Sequence, residues 1–467
     1  MKHYFLFVLL CLCFINQAVA AGPKPADEPN SPSLTNLPYD DKDFSCTTEA
    51  DADRYVRDFN IDQRSFGGKE LCNASIDSKK LFNDLDLIEH SAFEARLDHS
   101  FIRGFVDRNS YYSWLKGETY GVRRGHDIPY ATAYNSGGYF TMQDGWAKLS
   151  TLGRVGTIIH EARHTEGYRH YGCNHGPYKN SSVSGCDTSY SQGGSHGVEM
   201  EYYARVVIES KNLHPVYQSM ARLMAIGRSN HVFNQSPVVK REAIALSTPT
   251  EMVLFDKNIL TKRELPRVDN TWKLKRTSAG ASFFKSFQAI SVDLYSSFIS
   301  NVNMQDDYSY FKLLFMPRDN APTQIVDAEE YDINTYRYYV AMNPNGRLSS
   351  YYFSAGEWYP ATREVPGALK LTPTAPNGEQ GLFLVTQDGS ILPFDGANRR
   401  LGSPLNTRWN FTIEAYAKDA ANNVLLALTN DGRVVSMPNQ MPVPELEGRS
   451  YNGMVNVPMY DAFEVAP

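Results

Sequence analysis

The sequence predicts a two-part protein: an α+β domain organised around one helix, then an all-β, propeller-like C-terminal domain. Two observations carry this. Between residues 78 and 227 apolar side chains recur at three- and four-residue spacings, interrupted by short β-prone runs. After about residue 245 the texture changes to short strand-like runs punctuated by turn residues, three of them evenly spaced. The 467 residues leave room for two large domains or three smaller ones. With 42% apolar and 21% charged residues the chain has ample core material, which excludes a wholly disordered protein. A formal charge of −6 leaves no basic footprint, so neither nucleic acid nor an anionic membrane surface is an expected partner.

Residues 1–20 read as a signal peptide. Lys2 precedes an apolar stretch from Tyr4 to Phe14, and Ala18-Val19-Ala20 has the small-x-small pattern of a cleavage site before Ala21. That stretch is too short for a permanent bilayer span, and no later segment has about 18 uninterrupted apolar residues. The expected destination is secreted or periplasmic. Residues 21–40, rich in Pro, Ser and Asn, read as a flexible leader. Cys11 and Cys13 leave with the signal peptide, and Cys46, Cys72, Cys173 and Cys186 remain. Loop closure favours near neighbours, so the expected disulfides are Cys46–Cys72 and Cys173–Cys186. A zinc site made by all four is disfavoured, because no C-x-x-C spacing is present. Asn73, Asn180, Asn234 and Asn410 match the glycosylation acceptor pattern, which matters only in a glycosylating host.

Within the first domain, expected at 41–245, Leu81, Phe82, Leu85, Leu87, Ile88, Phe93 and Leu97 give the stretch 78–115 a helical pattern. Tyr130–Tyr134 and Gly138–Met142 read as strands. A helix follows at about 152–166, then a Gly/Ser/Asn-rich loop to Gly197, and helices at 198–210 and 215–227. In the second domain, expected at 246–467, Asn343-Pro-Asn-Gly346, Gln387-Asp-Gly389 and Asn430-Asp-Gly432 are hairpin turns whose glycines stand 43 residues apart. Asp256-Lys-Asn258 lies about two periods earlier, and the copy between them, near Asn301–Asn303, is poor. A period near 43 matches a four-stranded propeller blade and allows about five units; evenly spaced hairpins of a β-sandwich are the competing reading.

The chemistry concentrates in the helix at 152–166 and the residues after it. His160-Glu161-Ala-Arg-His164 is an H-E-x-x-H sequence, extended through Gly167 to His170. Histidines four apart project from one helical face, so His160 and His164 can reach one cation. Gly167 permits the turn that ends the helix, and His170 can swing back as a third nitrogen ligand. Three protein ligands leave a fourth position open, the arrangement of a catalytic zinc.

In its extended motif the chain resembles the metzincin group of zinc metallopeptidases, matched by His160, Glu161, His164, Gly167 and His170. The resemblance covers 11 residues and implies a zincin-like catalytic domain that binds Zn²⁺. It also implies hydrolysis of peptide bonds in a peptide or protein substrate, with Glu161 activating the zinc-bound water. One departure is the Met-containing turn: Met200 is the nearest candidate, yet it sits in a segment that reads as a helix. That helix supplies Glu199 and Glu201 as rival third ligands.

Lesser candidates surround this centre. His175 and His196 flank the Cys173–Cys186 loop and could line a cleft, though loop histidines are more often solvated. Tyr202 or Tyr203 could stabilise an oxyanion, with a core position the commoner fate. Gly137–Met142 could be an edge strand that pairs with a peptide, or a plain sheet strand. Glu89, His90, Glu94 and Arg96 read as a solvated helical face. The expectation is therefore an exported zinc metallopeptidase. Its alternative is an exported binding protein whose β domain recognises a protein or glycan and whose zinc site is structural or vestigial.

Overall fold

The computed structural model describes residues 47–460 except 69–74, 92, 94–100, 107–110, 129–130, 148, 150, 175–183, 210–214, 239, 265–270, 278–279, 286–287, 293, 295–310, 316–321, 334–335, 353–356, 361–363 and 396–399. The signal peptide, the leader, Cys46, Cys72, Asn73, Glu94, Arg96, His175, Asn180 and Asn301–Asn303 lie outside the described residues. Among the described residues, no helix is long and apolar enough to cross a membrane. The chain divides into two compact units, one ending at Val238 and the other starting at Lys240. The boundary expected at 245–246 therefore moves earlier. Residues 240–247 form one continuous strand of the second unit, and a strand is not divided between two cores.

The first unit contains helices α1 (Glu49–Asp58), α2 (Ile76–His90), α3 (Tyr111–Glu118), α4 (Asp144–Ala147), α5 (Thr151–Thr165), α6 (Ser195–Ile208) and α7 (Pro215–His231). Thr48 and Ser75 cap α1 and α2 by accepting the Asp51 and Ser78 amides. The helical pattern expected over 78–115 resolves into α2 and α3. Strands β1 (Gly121–Arg124), β2 (Ala133–Ser136) and β3 (Tyr139–Met142) form a sheet ordered β1-β3-β2. Because β3 pairs with β1 on one side and β2 on the other, the edge-strand reading of Gly137–Met142 is overturned. A second, parallel pair joins β4 (Asp187–Ser189) to β5 (Phe233–Gln235).

Helix α5 is buried along most of its length because Leu152, Val155, Ile158, Ile159 and Ala162 recur on its inward side. Arg154 anchors it to α2 through a bidentate pair with Asp84, 2.8 Å at each oxygen, with both side chains fully buried. The solvated-face reading of Glu89 also changes: it accepts from Arg54 at 2.7 and 2.8 Å and from the Tyr55 hydroxyl at 2.7 Å.

Among the described residues the second unit holds five four-stranded antiparallel sheets. Four are formed by consecutive strands. The fifth pairs the last strand, Gly453–Tyr460, with Lys240–Ser247, and continues through Glu251–Asp256 to Ile259–Glu264. The leading strands of the five sheets (Lys273–Thr277, Asp327–Ile333, Ala368–Thr374, Ile413–Asp419 and Gly453–Tyr460) are neighbours in that order, and the last lies beside the first. This propeller-like ring buries apolar layers between successive sheets, such as Met252, Phe283, Val457 and Met459 in one and Val385, Trp409 and Tyr416 in another.

The 43-residue spacing has a structural cause. Gly346, Gly389 and Gly432 adopt φ of +75°, +82° and +85°, each between the second and third strands of its sheet. Each glycine carbonyl accepts the amide of a residue leading toward the next sheet: Val365 (3.2 Å), Trp409 (2.8 Å) and Tyr451 (2.9 Å). The turn at Asp256–Asn258 belongs elsewhere, between the third and fourth strands of its sheet, so it is not a copy of these three. A Cβ at Gly346 would run into the Val365 carbonyl. Gly346→Val is expected to destabilise the second unit by about 2 kcal/mol, since it adds a clash to a strained left-handed φ. Urea unfolding followed by near-ultraviolet circular dichroism would register this, and an unchanged midpoint would show that the turn is not constraining.

Candidate metal centre

The centre is built on the helix pair α5 and α6. Gly156 faces Tyr203 across their contact, where any Cβ would collide with the tyrosine hydroxyl. This closeness lets the Tyr203 hydroxyl donate to Leu152 O (3.2 Å) or Glu199 Oε1 (3.0 Å). Tyr202 and Tyr203 are both fully buried, as core residues rather than cleft groups. Met200 is buried in the middle of α6, so its segment is a helix and not a turn.

Helix α5 ends at Thr165, and Gly167 takes φ +90° as its amide bonds back to His164 O. The chain then returns so that His170 stands over the helix. His170 Nε2 lies 3.0 Å from His160 Nε2. The ring centroids are 4.9 Å apart for His160–His164, 4.7 Å for His164–His170 and 4.9 Å for His160–His170. The sequence-expected residues are thus brought together. A further ring joins them: His196, in the first turn of α6, lies 4.5 Å from His160 and 4.6 Å from His170 between centroids. The nitrogens that fall within 4.8 Å of one another are those of His160, His170 and His196, so this set has His196 where the motif has His164.

Acceptors stand behind each ring. His164 Nδ1 is 2.6 Å from Tyr168 O, and the Ser195 hydroxyl is 3.0 Å from the same nitrogen. His170 Nδ1 faces Asp187 Oδ1 at 3.4 Å. His160 Nδ1 and His196 Nδ1 both face Glu199 Oε2 at 3.4 Å. Protons held on Nδ1 leave lone pairs on Nε2, the form in which imidazole binds a metal. For His160 and His170 this puts two lone pairs 3.0 Å apart, a repulsion that a cation between them removes. Burial pushes the His160, His164 and His196 pKa values down, which keeps these rings neutral and able to ligate.

Two carboxylates differ in state. Glu199 is fully buried, which by itself would raise its pKa, but Arg228 at 3.0 Å and bonds to His160 and His196 hold it well below the usual carboxylate range. Glu161 is 5% exposed, with Oε2 buried and without a hydrogen-bond partner among the described residues, and burial beside Glu199 pushes its pKa up to about 8. Asn135 of β2 fixes the local backbone by donating to Glu161 O at 2.5 Å. Glu201, one of the rival ligands, is engaged elsewhere: it accepts from the amides of Arg103, Gly104 and Phe105 and from Arg205. Glu199 reaches the Nδ1 side of the rings, which is an orienting position. His196 was expected from sequence only as a residue that could line a cleft or bind substrate, and not as a metal ligand, because it reads as a loop residue. The i,i+3 pair His196–Glu199 was its available signal.

The Cys173–Cys186 disulfide expected from loop length is present, with Cα atoms 5.2 Å apart. Beside it, Tyr171 and Cys186 exchange backbone hydrogen bonds of 2.7 and 3.1 Å. The crosslink therefore ties the segment just after His170 to the one just before Asp187. Asp187 in turn accepts the Gly197 amide at 3.1 Å, which connects His170 to the first turn of α6.

No family model matches the chain, and no curated protein matches it. Among solved structures it is similar to BBS1N in complex with ARL6DN, at 9% identity, covering 46% of this chain and 67% of that one, with a TM-score of 0.23. It is also similar to an auxiliary nutrient binding protein from Bacteroides thetaiotaomicron, at 10% identity, covering 44% of this chain and 64% of that one, with a TM-score of 0.24. The chain thus spans just under two thirds of the nutrient binding protein. Likenesses at these scores carry no argument about fold or function.

Replacing Cys173 and Cys186 together by serine is expected to cost about 3 kcal/mol. Loss of amide-exchange protection at Tyr171 and Cys186 should precede any change in α5. Protection retained at both amides would show that the disulfide does not hold the His170 segment in place.

Proposed function

We propose that the first unit is a zinc-dependent peptidase of the metzincin-like kind that its extended motif implies. The observation that carries the reading is the approach of His170 Nε2 to His160 Nε2, with His160 on the helix that also carries the buried Glu161, one of whose carboxylate oxygens has no hydrogen-bond partner among the described residues. His160, His164 and His170 would hold the metal. The donor set suits zinc, since the Nδ1 atoms of the three rings are backed by a carboxylate or a carbonyl. Zinc, when bound, supplies Lewis-acid polarisation of an acyl carbonyl and acidification of water.

The remaining work falls to the chain itself. Glu161 is the proton carrier: a carboxyl whose pKa lies near neutrality can take a proton from water at Oε2 and release it to the departing amine nitrogen. Glu199 keeps its charge and orients the His160 ring, with Tyr203 and Arg228 fixing its other oxygen. An exported setting suits both the disulfide and the signal-like N-terminus, because a structural disulfide persists in an oxidising compartment.

Glu161→Gln should reduce cleavage of a responsive peptide pool by about 10²–10⁴-fold. Zinc content and the circular dichroism spectrum should stay at wild-type values. Cleavage by this variant at the wild-type rate would remove Glu161 from the reaction. In parallel, His170→Ala should lower the zinc bound per chain as measured by elemental mass spectrometry.

A further inference from the structure

We propose that His196 is a fourth imidazole ligand of the same cation, so that a protein nitrogen closes the resting centre. The inference rests on the zinc reading above and concerns a residue outside the motif. His196 is 7% exposed, packs against both His160 and His170, and presents a ring nitrogen within 4.8 Å of theirs.

Its hydrogen-bond surroundings point the same way. His196 Nε2 is 3.2 Å from Gly185 O, and its Nδ1 is 3.4 Å from Glu199 Oε2. A neutral imidazole has one N–H, so it can donate to only one of these oxygens. The other nitrogen is left with its lone pair against oxygen, in a buried site where a cation would turn that repulsion into attraction. The same five-residue turn, Ser195 to Glu199, also holds the other rings: Ser195 meets His164, and Glu199 meets His160. His196 is thus placed by the structure that orients the motif histidines.

The test is X-ray absorption at the zinc edge on the purified full chain, counting imidazole ligands, with His196→Ala beside the wild type. Four imidazoles in the wild type, and three plus an oxygen donor in the variant, is the expected result. The zinc dissociation constant of the variant should rise by about 10-fold or more. In the cobalt-substituted proteins, azide should perturb the visible spectrum at lower concentration in the variant than in the wild type. Three imidazoles in the wild type would overturn a fourth imidazole ligand and leave the zinc reading standing, and a count unchanged in His196→Ala would remove His196 from the centre. A wild-type protein that takes up no zinc would overturn both. The wild-type count needs no variant, so the test survives a variant that fails to fold.

Discussion

The close packing of α5 against α6 is the constraint on which the candidate metal centre depends. Gly156 removes the side chain that would separate the helices, and the Tyr203 hydroxyl occupies the space. That contact sets the depth at which α6 presents Glu199 and His196 to the histidines of α5. The Arg154–Asp84 pair fixes the opposite side of α5, so the helix is held from two directions by buried polar groups. A helix so anchored can keep several imidazoles close together, where they would otherwise separate into solvent.

Electrostatics then divides labour between two buried glutamates that lie near each other. Arg228 and the surrounding rings hold the Glu199 pKa down, whereas burial and the nearby Glu199 charge push the Glu161 pKa up. Two buried carboxylates that differ in this way suit different tasks, one orienting and one exchanging protons. The disulfide completes the arrangement from outside the helices by tying together the segments that carry His170 and Asp187.

The second unit is assembled on a different principle. Three of its sheets connect toward the next through a glycine carbonyl, at Gly346, Gly389 and Gly432, and the Asn452 amide donates to Ser247 O at 2.8 Å. With Gly453–Tyr460 paired to Lys240–Ser247, the first and last described strands of the unit share one sheet.

Much of this was legible in the residues themselves. The motif histidines, the helix that bears two of them, the turn at Gly167 and the 43-residue repeat are local patterns, set by helical periodicity and by backbone conformations that favour glycine. The Cys173–Cys186 pairing was legible for a similar reason, because short loops close readily. What depends on distant segments was not. The pairing of β3 on both sides, the capture of Glu201 by the Arg103–Phe105 amides and the true phase of Asp256–Asn258 each require knowing which strand or loop lies alongside. His196 is the clearest case: 26 residues beyond His170 in sequence, it joins the centre only because α6 packs on α5. Spacing within one helix can be counted along the chain, whereas the side chain that meets it from another helix is chosen by packing.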